Sequence, residues 1–475
     1  MAEIIFPITT SPGARAGEGA GRLINCYAER LTDGARAQYA RRRAPGLRLI
    51  ATTEEVGCRG LHYFNGVLYA AMAETLYKVT LSGSTYTVTE LGDLSGTGRV
   101  TFARNNKAPV PDIICTTEDD TYTVTDSGAP ASLGDGDLPA AATVDFLDGY
   151  FIWAIRDGRY FVSGINDKTV NALDFGKAES RPGGIYTAKA FGEQLLLMGP
   201  NSIEVWQNAG NATGTPFSRV SVIPRGLAST FAVAGNEDGF QVLAFVGDDN
   251  AVYLLTGGYT PQRISSPDLD RLIQAVTDKT TIDVTVGSTS GHMWVFVTGP
   301  TWSWCFEVNT GLWHERESFN QSRFRGVCSV RAFNDRWVIG DRDTGDLWIL
   351  DDEYFKEGTT PLVMQITSGP TNDFPNKTAV PRADFDFVVG MGLTSGEEPI
   401  ETDPVCLISW SDDGGATFGN PLIRELGGVA EHKQTVTVNR TGTTGRYGRV
   451  WKVQVPDPVY ASLLRGTMDA DPRAR

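Results

Sequence analysis

Short runs in which apolar and polar residues alternate recur along most of the chain, each bounded by Asn, Asp or Gly. A period of two sends successive side chains to opposite faces, so each run predicts a strand with one face to bury. The runs come in similar groups: an apolar run, a turn, a second alternating run, then a polar turn leading to a strand with Tyr or Trp. Copies are HYFNGVLYAAMAETLYKVTL from His62, VDFLDGYFIWAIRDGRYFVSG from Val144 and AKAFGEQLLLMGPNSIEVWQN from Ala188. Further copies are GFQVLAFVGDDNAVYLL from Gly239, GHMWVFVTGPTWSWCFEVNTGLWHE from Gly291 and RAFNDRWVIGDRDTGDLWILD from Arg331. A weaker one, TFARNNKAPVPDIICTTEDDTYTVTD, starts at Thr101. The starts lie roughly 40 to 50 residues apart, the interval of four-stranded propeller blades.

A lone four-stranded sheet cannot bury its apolar face, whereas sheets stacked around a closed ring do, leaving only short edges. The pattern therefore predicts an all-β chain built on a β-propeller of six or seven blades, over residues 59–355, with one blade possible as a split closing blade. Only SSPDLDRLIQAVT, residues 265–277, has a helical period, with Leu269, Leu272 and Ile273 on one face. Residues 1–58 read as an N-terminal arm with first strands. Residues 356–475 carry longer alternating runs, such as PRADFDFVVGMGL and GRVWKVQVPDP, and predict a β-sandwich-like C-terminal domain. The tail from Leu464 is expected to fray.

Composition narrows the function classes. Among 475 residues, 53 are Gly, which fits many tight turns between short strands. The formal net charge of −15 argues against gripping nucleic acid by its phosphates but allows a surface past which DNA slides. No basic start precedes an apolar core at MAEIIFPITTSPG, so no secretory signal is expected. No apolar run approaches the ~20 residues that span a bilayer. The six cysteines, Cys26, Cys58, Cys115, Cys305, Cys328 and Cys406, have no zinc-like spacing and read as buried thiols.

One octapeptide suggests chemistry. SDDGGATF, residues 411–418, is an Asp-box, a turn motif that recurs in sialidases and other sugar-cleaving propellers. Its residues Ser411, Asp413, Gly415, Thr417 and Phe418 also satisfy a purely structural role. Asp413 can accept bonds from the turn backbone, Gly414 and Gly415 tolerate positive φ, and Thr417 and Phe418 would enter the next strand with the ring facing a core. Such enzymes carry several boxes and an arginine triad, and this chain has one box, outside the repeats; a structural turn is expected. DRDTGD, residues 341–346, lacks the spacing and distal Glu of a calcium loop and reads as a blade turn. The acidic pairs at 118–120, 237–238, 248–249 and 351–352 read as solvated tips. Thr301 to Trp313, rich in aromatics, reads as two core strands rather than a sugar platform. His62, His292, His314 and His432 form no H-E-x-x-H, and neither a nucleophile elbow nor a phosphate loop occurs. No catalytic site, metal or cofactor is expected. Arg36, Arg41, Arg42, Arg43 and Arg48 cluster in ARAQYARRRAPGLR and would suit an acidic partner surface, including a second copy of this chain.

GRLINCYAERL followed by YARRRAPGLRLI carries an N-x-Y-x-E element, Asn25, Tyr27 and Glu29, then Pro45, Gly46 and Leu47. With VDFLDGYFIWAIRDGRYFVSGIND, AESRPGGI, GPNSIEVWQNAG and PRGLAST, and with WSDDGGATF before the basic strand GRYGRVWKV, the chain resembles the packaged-DNA stabilisation and tail-nozzle proteins of short-tailed bacteriophages. AESRPGGI departs from that pattern in having Gly183 where an acidic residue is usual. The resemblance implies a virion component assembled in the host cytoplasm. It would form a homo-oligomeric ring, commonly a hexamer, below the portal and adaptor, contacting tail fibre or tail needle proteins. The ring would retain packaged genomic DNA and then conduct it without sequence-specific binding. The alternative from another class is a glycan-active or glycan-binding propeller on a phage or bacterial surface.

Overall fold

A computed structural model of the chain describes residues 2–15, 17–211, 213–235, 240–371 and 376–473. The repeats fold as seven antiparallel four-stranded blades, numbered here in chain order. Their first strands are Cys58–Phe64, Thr101–Arg104, Thr143–Leu147, Thr187–Phe191, Val233–Gly235, Asp283–Thr289 and Gly326–Ala332. These strands lie side by side around most of the axis, and later strands of each blade step outwards. The pattern that built the blades is visible in their burial. Val67–Met72, Tyr150–Ala154, Gln194–Met198 and Leu243–Val246 are almost wholly buried, because a second strand of a blade has a neighbouring blade on both faces.

The N-terminal segment contributes five strands, β1 (Ala2–Ile4), β2 (Arg22–Ile24), β3 (Cys26–Arg30), β4 (Tyr39–Arg43) and β5 (Gly46–Thr52). Of these, β5 closes the ring. It pairs antiparallel with Asp346–Asp351, Leu47 opposite Leu350 and Ala51 opposite Leu347, and so supplies the fourth strand of blade 7. Closure by a strand from the other end of the propeller hides an edge that would otherwise be free.

The remaining N-terminal strands belong to a β-sandwich. One of its sheets continues blade 6 outwards: Leu312–Glu315 is followed by β2, then Met364–Thr367, Val450–Val455, Val405–Ser411 and Leu422–Glu425. The other runs β3, β4, Ser462–Met468, Arg382–Phe387 and Val436–Asn439, with β1 also paired to Ser462–Met468. Leu23, Ile366, Phe385, Ile408, Val438, Trp451 and Leu463 fill the space between them. Residues 1–58 are thus threaded through both units. The fraying expected from Leu464 is not seen over the described residues. Ser462–Met468 is an interior strand, because Leu463, Leu464 and Met468 are buried.

The helical segment is Pro267–Ala275, started by Ser266, whose side chain accepts from the Leu269 amide, and anchored by buried Leu269 and Ile273. No described helix is long and apolar enough to cross a membrane. The aromatic run from Thr301 supplies the core strands Ser303–Glu307 and Leu312–Glu315, which bury Trp304, Phe306 and Trp313. All six cysteines are buried free thiols.

Candidate functional site

The axis of the propeller is narrow. The first strands enclose a cavity of about 340 Å³, lined by Gly60, His62, Thr101, Val144, Thr187 and Ser329 among others. It opens towards a wider cavity of about 1070 Å³ whose wall carries Arg99, Asp283 and Arg342. Asp283 is shared by the two guanidiniums, 3.0 Å from Arg99 Nη1 and 2.7 Å from Arg342 Nη1. Deeper in, Asp145 accepts from the amides of Phe146 at 2.7 Å and Ala190 at 2.9 Å; burial raises its pKa, opposed by Lys189 and those amides. The major groove of B-DNA alone is about 12 Å wide, so a duplex does not fit through one propeller.

The residues of the N-terminal signature converge on the joint between propeller and sandwich. Asn25 sits between β2 and β3 at φ 53°, a left-handed conformation that Asn tolerates better than most residues. Its Nδ2 donates to the Val363 carbonyl at 3.0 Å, and its Oδ1 accepts the Glu317 amide at 3.0 Å. Its own backbone bonds to Glu315 O and the Ala44 amide, both at 2.9 Å. One side chain therefore ties both units together. Tyr27 meets His292 and Trp294 edge-on, each at 5.0 Å between ring centroids; burial pushes its phenol pKa up. Glu29 pairs with Arg42 at 2.7 Å and lies 3.8 Å from His292, whose other nitrogen is 3.4 Å from Glu307. Pro45 and Gly46 are where the chain leaves the sandwich for blade 7. A Cβ on Gly46 would stand 1.9 Å from the Tyr354 carbonyl oxygen, so the crossing admits only glycine.

The arginine cluster is divided by the structure. Arg41 is buried, and its guanidinium donates to the carbonyls of Phe6 at 2.7 Å, Leu464 at 2.8 Å and Pro7 at 3.1 Å. Arg43 is buried too, donating to Val459 O at 2.9 Å and to Asp457 O and Val455 O. These two do not face a partner surface as expected. Their alternation along β4 with Arg42 turns them inward, and unpaired carbonyls of the sandwich take their donors. Arg42 is committed to Glu29. Arg36 and Arg48 are the outward members, bonded to Asp386 and, at 2.8 Å, to Asp351.

The Asp-box is a closed hydrogen-bond network between Val405–Ser411 and Leu422–Glu425. Ser411 Oγ donates to Asp413 Oδ1 at 2.5 Å and accepts the Gly415 amide at 2.9 Å. Asp413 accepts the amides of Ala416 at 2.9 Å and Thr417 at 3.0 Å, and the Thr417 hydroxyl at 2.5 Å. Hydrogen bonds from Ser411 and Thr417 lower its pKa well below the usual carboxylate range. Gly414 and Gly415 have φ of 82° and 95°. Thr417 and Phe418 do not enter a strand as expected. The box consumes the amides of 415–417, so ladder pairing resumes only at Leu422, opposite Ile408. Phe418 is half-buried under Lys452 Nζ, 4.4 Å from its ring, rather than in a core.

Sequence reasoning passed over Asp412, which binds buried Arg449, and the Trp410 and Trp451 rings that flank it. The signal was present in WSDD and RVW, two short stretches that share a cation and two aromatics. DRDTGD is a turn: Asp341 accepts the amides of Asp343 and Thr344 at 2.9 and 3.1 Å and the Trp348 indole at 3.0 Å. Among the described residues no three His, Cys, Asp or Glu side chains gather as a metal-ligand set. The pair Glu237 and Asp238 lies outside the described residues.

A family model described as bacteriophage P22 Gp10, beta-propeller, matches residues 23–354, which contain the N-terminal signature and all seven blades. No curated protein matches the chain. Among solved structures, the WD40 β-propeller domain of Doa1 is similar at 12% identity and a TM-score of 0.43, covering 64% of this chain and 96% of that one. The computationally designed Ika8 protein is similar at 11% identity and a TM-score of 0.37, covering 64% of this chain and 99% of that one.

Proposed function

Since the chain belongs to the bacteriophage P22 Gp10 β-propeller family of phage structural proteins, we propose that it forms a ring in the tail, below the portal and adaptor, that retains packaged DNA and conducts it at ejection. The role is structural rather than catalytic. The observation that carries this reading is the charge balance left on the surface. The chain has 57 acidic and 42 basic residues, and burial removes cations and carboxylates alike: Arg41, Arg43, Arg59, Arg316 and Arg449 are buried, and so are Glu204, Asp283, Glu307, Glu315, Asp341 and Glu357. The exposed surface therefore keeps the acidic balance of the composition, and a duplex beside it is repelled rather than held.

The narrow axis adds a constraint: a DNA path lies between copies, not through a propeller. Copies joined head to tail need two different faces. Outward Arg36 and Arg48, paired here with Asp386 and Asp351, are the cations that would exchange those partners for the acidic blade turns of a neighbour. Partners above and below, the portal or adaptor and a tail fibre or needle, belong to the same reading.

Electron microscopy of the purified chain with and without portal complexes tests it. Rings or portal-docked assemblies are expected, and a monomer that persists and ignores portals overturns the reading. Charge reversal at Arg36 and Arg48, the exposed pair, is expected to weaken assembly while leaving the monomer's melting temperature within a few degrees.

A further inference from the structure

We propose that Cys58 and Cys328 are a disulfide-forming pair that staples the first blade to the last when the protein meets an organic disulfide. The two thiols sit at the seam where the ring closes. Cys58 opens the first strand of blade 1, and Cys328 lies in the first strand of blade 7, beside it. Cys328 Sγ is 3.9 Å from the Cys58 carbonyl oxygen. The Cys58 side chain crosses onto blade 7 over Gly340, which is the residue directly paired with Cys328. A Cβ on Gly340 would stand 2.2 Å from the Cys58 sulfur and 2.6 Å from its Cβ. Absence of a side chain there is what allows the thiol to reach across, and the Cys58 thiol donates to the Gly60 carbonyl at 3.9 Å.

The pair is built for exchange in a definite order. Burial, with Asp283, raises the pKa of Cys328, but the neighbouring Cys58 thiol and the Arg99 and Arg342 guanidiniums outweigh it and bring the value below that of an ordinary thiol. Burial first, then the Cys328 neighbour, push Cys58 well up. Cys328 shares the lining of the narrow cavity with Arg99, whose charge favours its thiolate, so it is the attacking thiol and Cys58 the resolving thiol. A small disulfide reaches them along the axis, since Cys328 lines the narrow cavity and Cys58 the wider one. The Cys328 thiolate attacks one sulfur of the reagent, the reagent's S–S bond breaks, and one thiolate leaves, taking the proton of Cys58. Cys58 then attacks the Cys328 sulfur and expels the second thiolate, which takes the proton Cys328 had released. Two protein thiols are oxidised and one organic disulfide is reduced to two thiols.

The consequence is mechanical. The bond joins residues at opposite ends of the propeller sequence, so it constrains nearly the whole ring in the unfolded state. The chemistry itself stands apart from the virion reading; that reading only supplies the occasion, departure from a reducing cytosol.

The test uses the purified full chain and bis(2-hydroxyethyl) disulfide, with non-reducing peptide mapping. A peptide pair linking 58 to 328 is expected, with Cys26, Cys115, Cys305 and Cys406 still reduced. The melting temperature should rise by about 2 °C or more and return when dithiothreitol is added. Cys58→Ser should stop at a mixed disulfide on Cys328, and Cys328→Ser should leave Cys58 unmodified. If Cys328 stays reduced in the folded wild type, or holds the adduct without passing to Cys58, the proposal is overturned. Should a variant misfold, the wild-type map alone decides. None of these outcomes depends on whether rings form in the microscope.

Discussion

Arg449 holds Asp412 through two parallel hydrogen bonds, Nε to Oδ1 at 2.8 Å and Nη2 to Oδ2 at 2.9 Å. The guanidinium lies between the rings of Trp410 and Trp451, 5.3 and 5.4 Å from their centroids, and Nη2 also reaches the Thr441 carbonyl at 3.0 Å. Because Arg449 is fully buried, removing its carboxylate strands a charge. Asp412→Ala is expected to cost about 3 kcal/mol, read as a lower urea midpoint at unchanged slope. Arg449→Lys should not recover the loss, because an ammonium cannot reproduce the fork. A midpoint unchanged in Asp412→Ala would show that the rings and Thr441 suffice.

Gly46 marks the crossing between the two units. An alanine methyl there meets backbone, 1.9 Å from Tyr354 O and 2.5 Å from Lys356 O, which cannot swing aside like a side chain. Gly46→Ala is expected to cost more than about 3 kcal/mol, or to abolish soluble expression, by displacing β5 from blade 7. Gly136→Ala, with nothing within 4 Å of the new methyl, should stay within about 0.5 kcal/mol. Equal stability of the two variants would refute the role given to Gly46.

The seven blades were legible because each carries its own alternation and turn residues; His62 and Val144 begin runs that fold alike without help from elsewhere. What alternation does not encode is partnership between distant runs. β5 joins Asp346–Asp351 from some 300 residues away, and the sandwich mixes β1 to β4 with strands beyond 360. A local pattern therefore gives residues 1–58 the look of an arm. The same limit applied to side chains. Arg41, Arg42 and Arg43 form one cationic run in the sequence, and only the pleat of β4 shows that the first and third point inward. Asn25 and Gly46 stood out in the signature, but their reasons, a left-handed joint and a backbone crossing, are three-dimensional.

Glu307 makes the propeller–sandwich joint sensitive to acid. Its carboxylate accepts the Thr310 amide at 2.5 Å and lies 3.4 Å from His292 Nδ1. Burial pushes its pKa up, but the neighbouring His292 and Thr310 outweigh that and bring it from 4.5 to about 2. A depressed carboxylate contributes stability above its unfolded value and loses it as pH falls through its folded one. Glu307→Gln should therefore be less stable than wild type by about 3 kcal/mol at pH 7. The gap should narrow from pH 4.5 downwards and nearly vanish as pH approaches 2. Urea titrations at several pH values measure it, and a gap independent of pH would contradict the assignment.

Asp413 tests what the Asp-box is for. Four hydrogen bonds, from Ser411, Ala416 and twice from Thr417, end on one exposed carboxylate. The turn they close also backs the N-terminal loop: a Cβ on Gly17 would lie 3.4 Å from Gly414 O. Asp413→Ala releases the amides of 416 and 417 to water and loosens that backing, so the melting temperature should fall by a few degrees. Asp413→Asn keeps one acceptor oxygen and should fall between the two. The depressed pKa gives the sign of the pH effect. Wild type holds its advantage above about pH 4 and loses it as acid protonates Asp413, so the two melting curves should converge in strong acid. A fluorogenic sialoside should be cleaved by neither protein. Turnover in wild type that disappears in Asp413→Ala would restore a role in sugar chemistry, whereas a lost clamp with no turnover in either leaves the box as a device for holding the sandwich edge against the N-terminal loop.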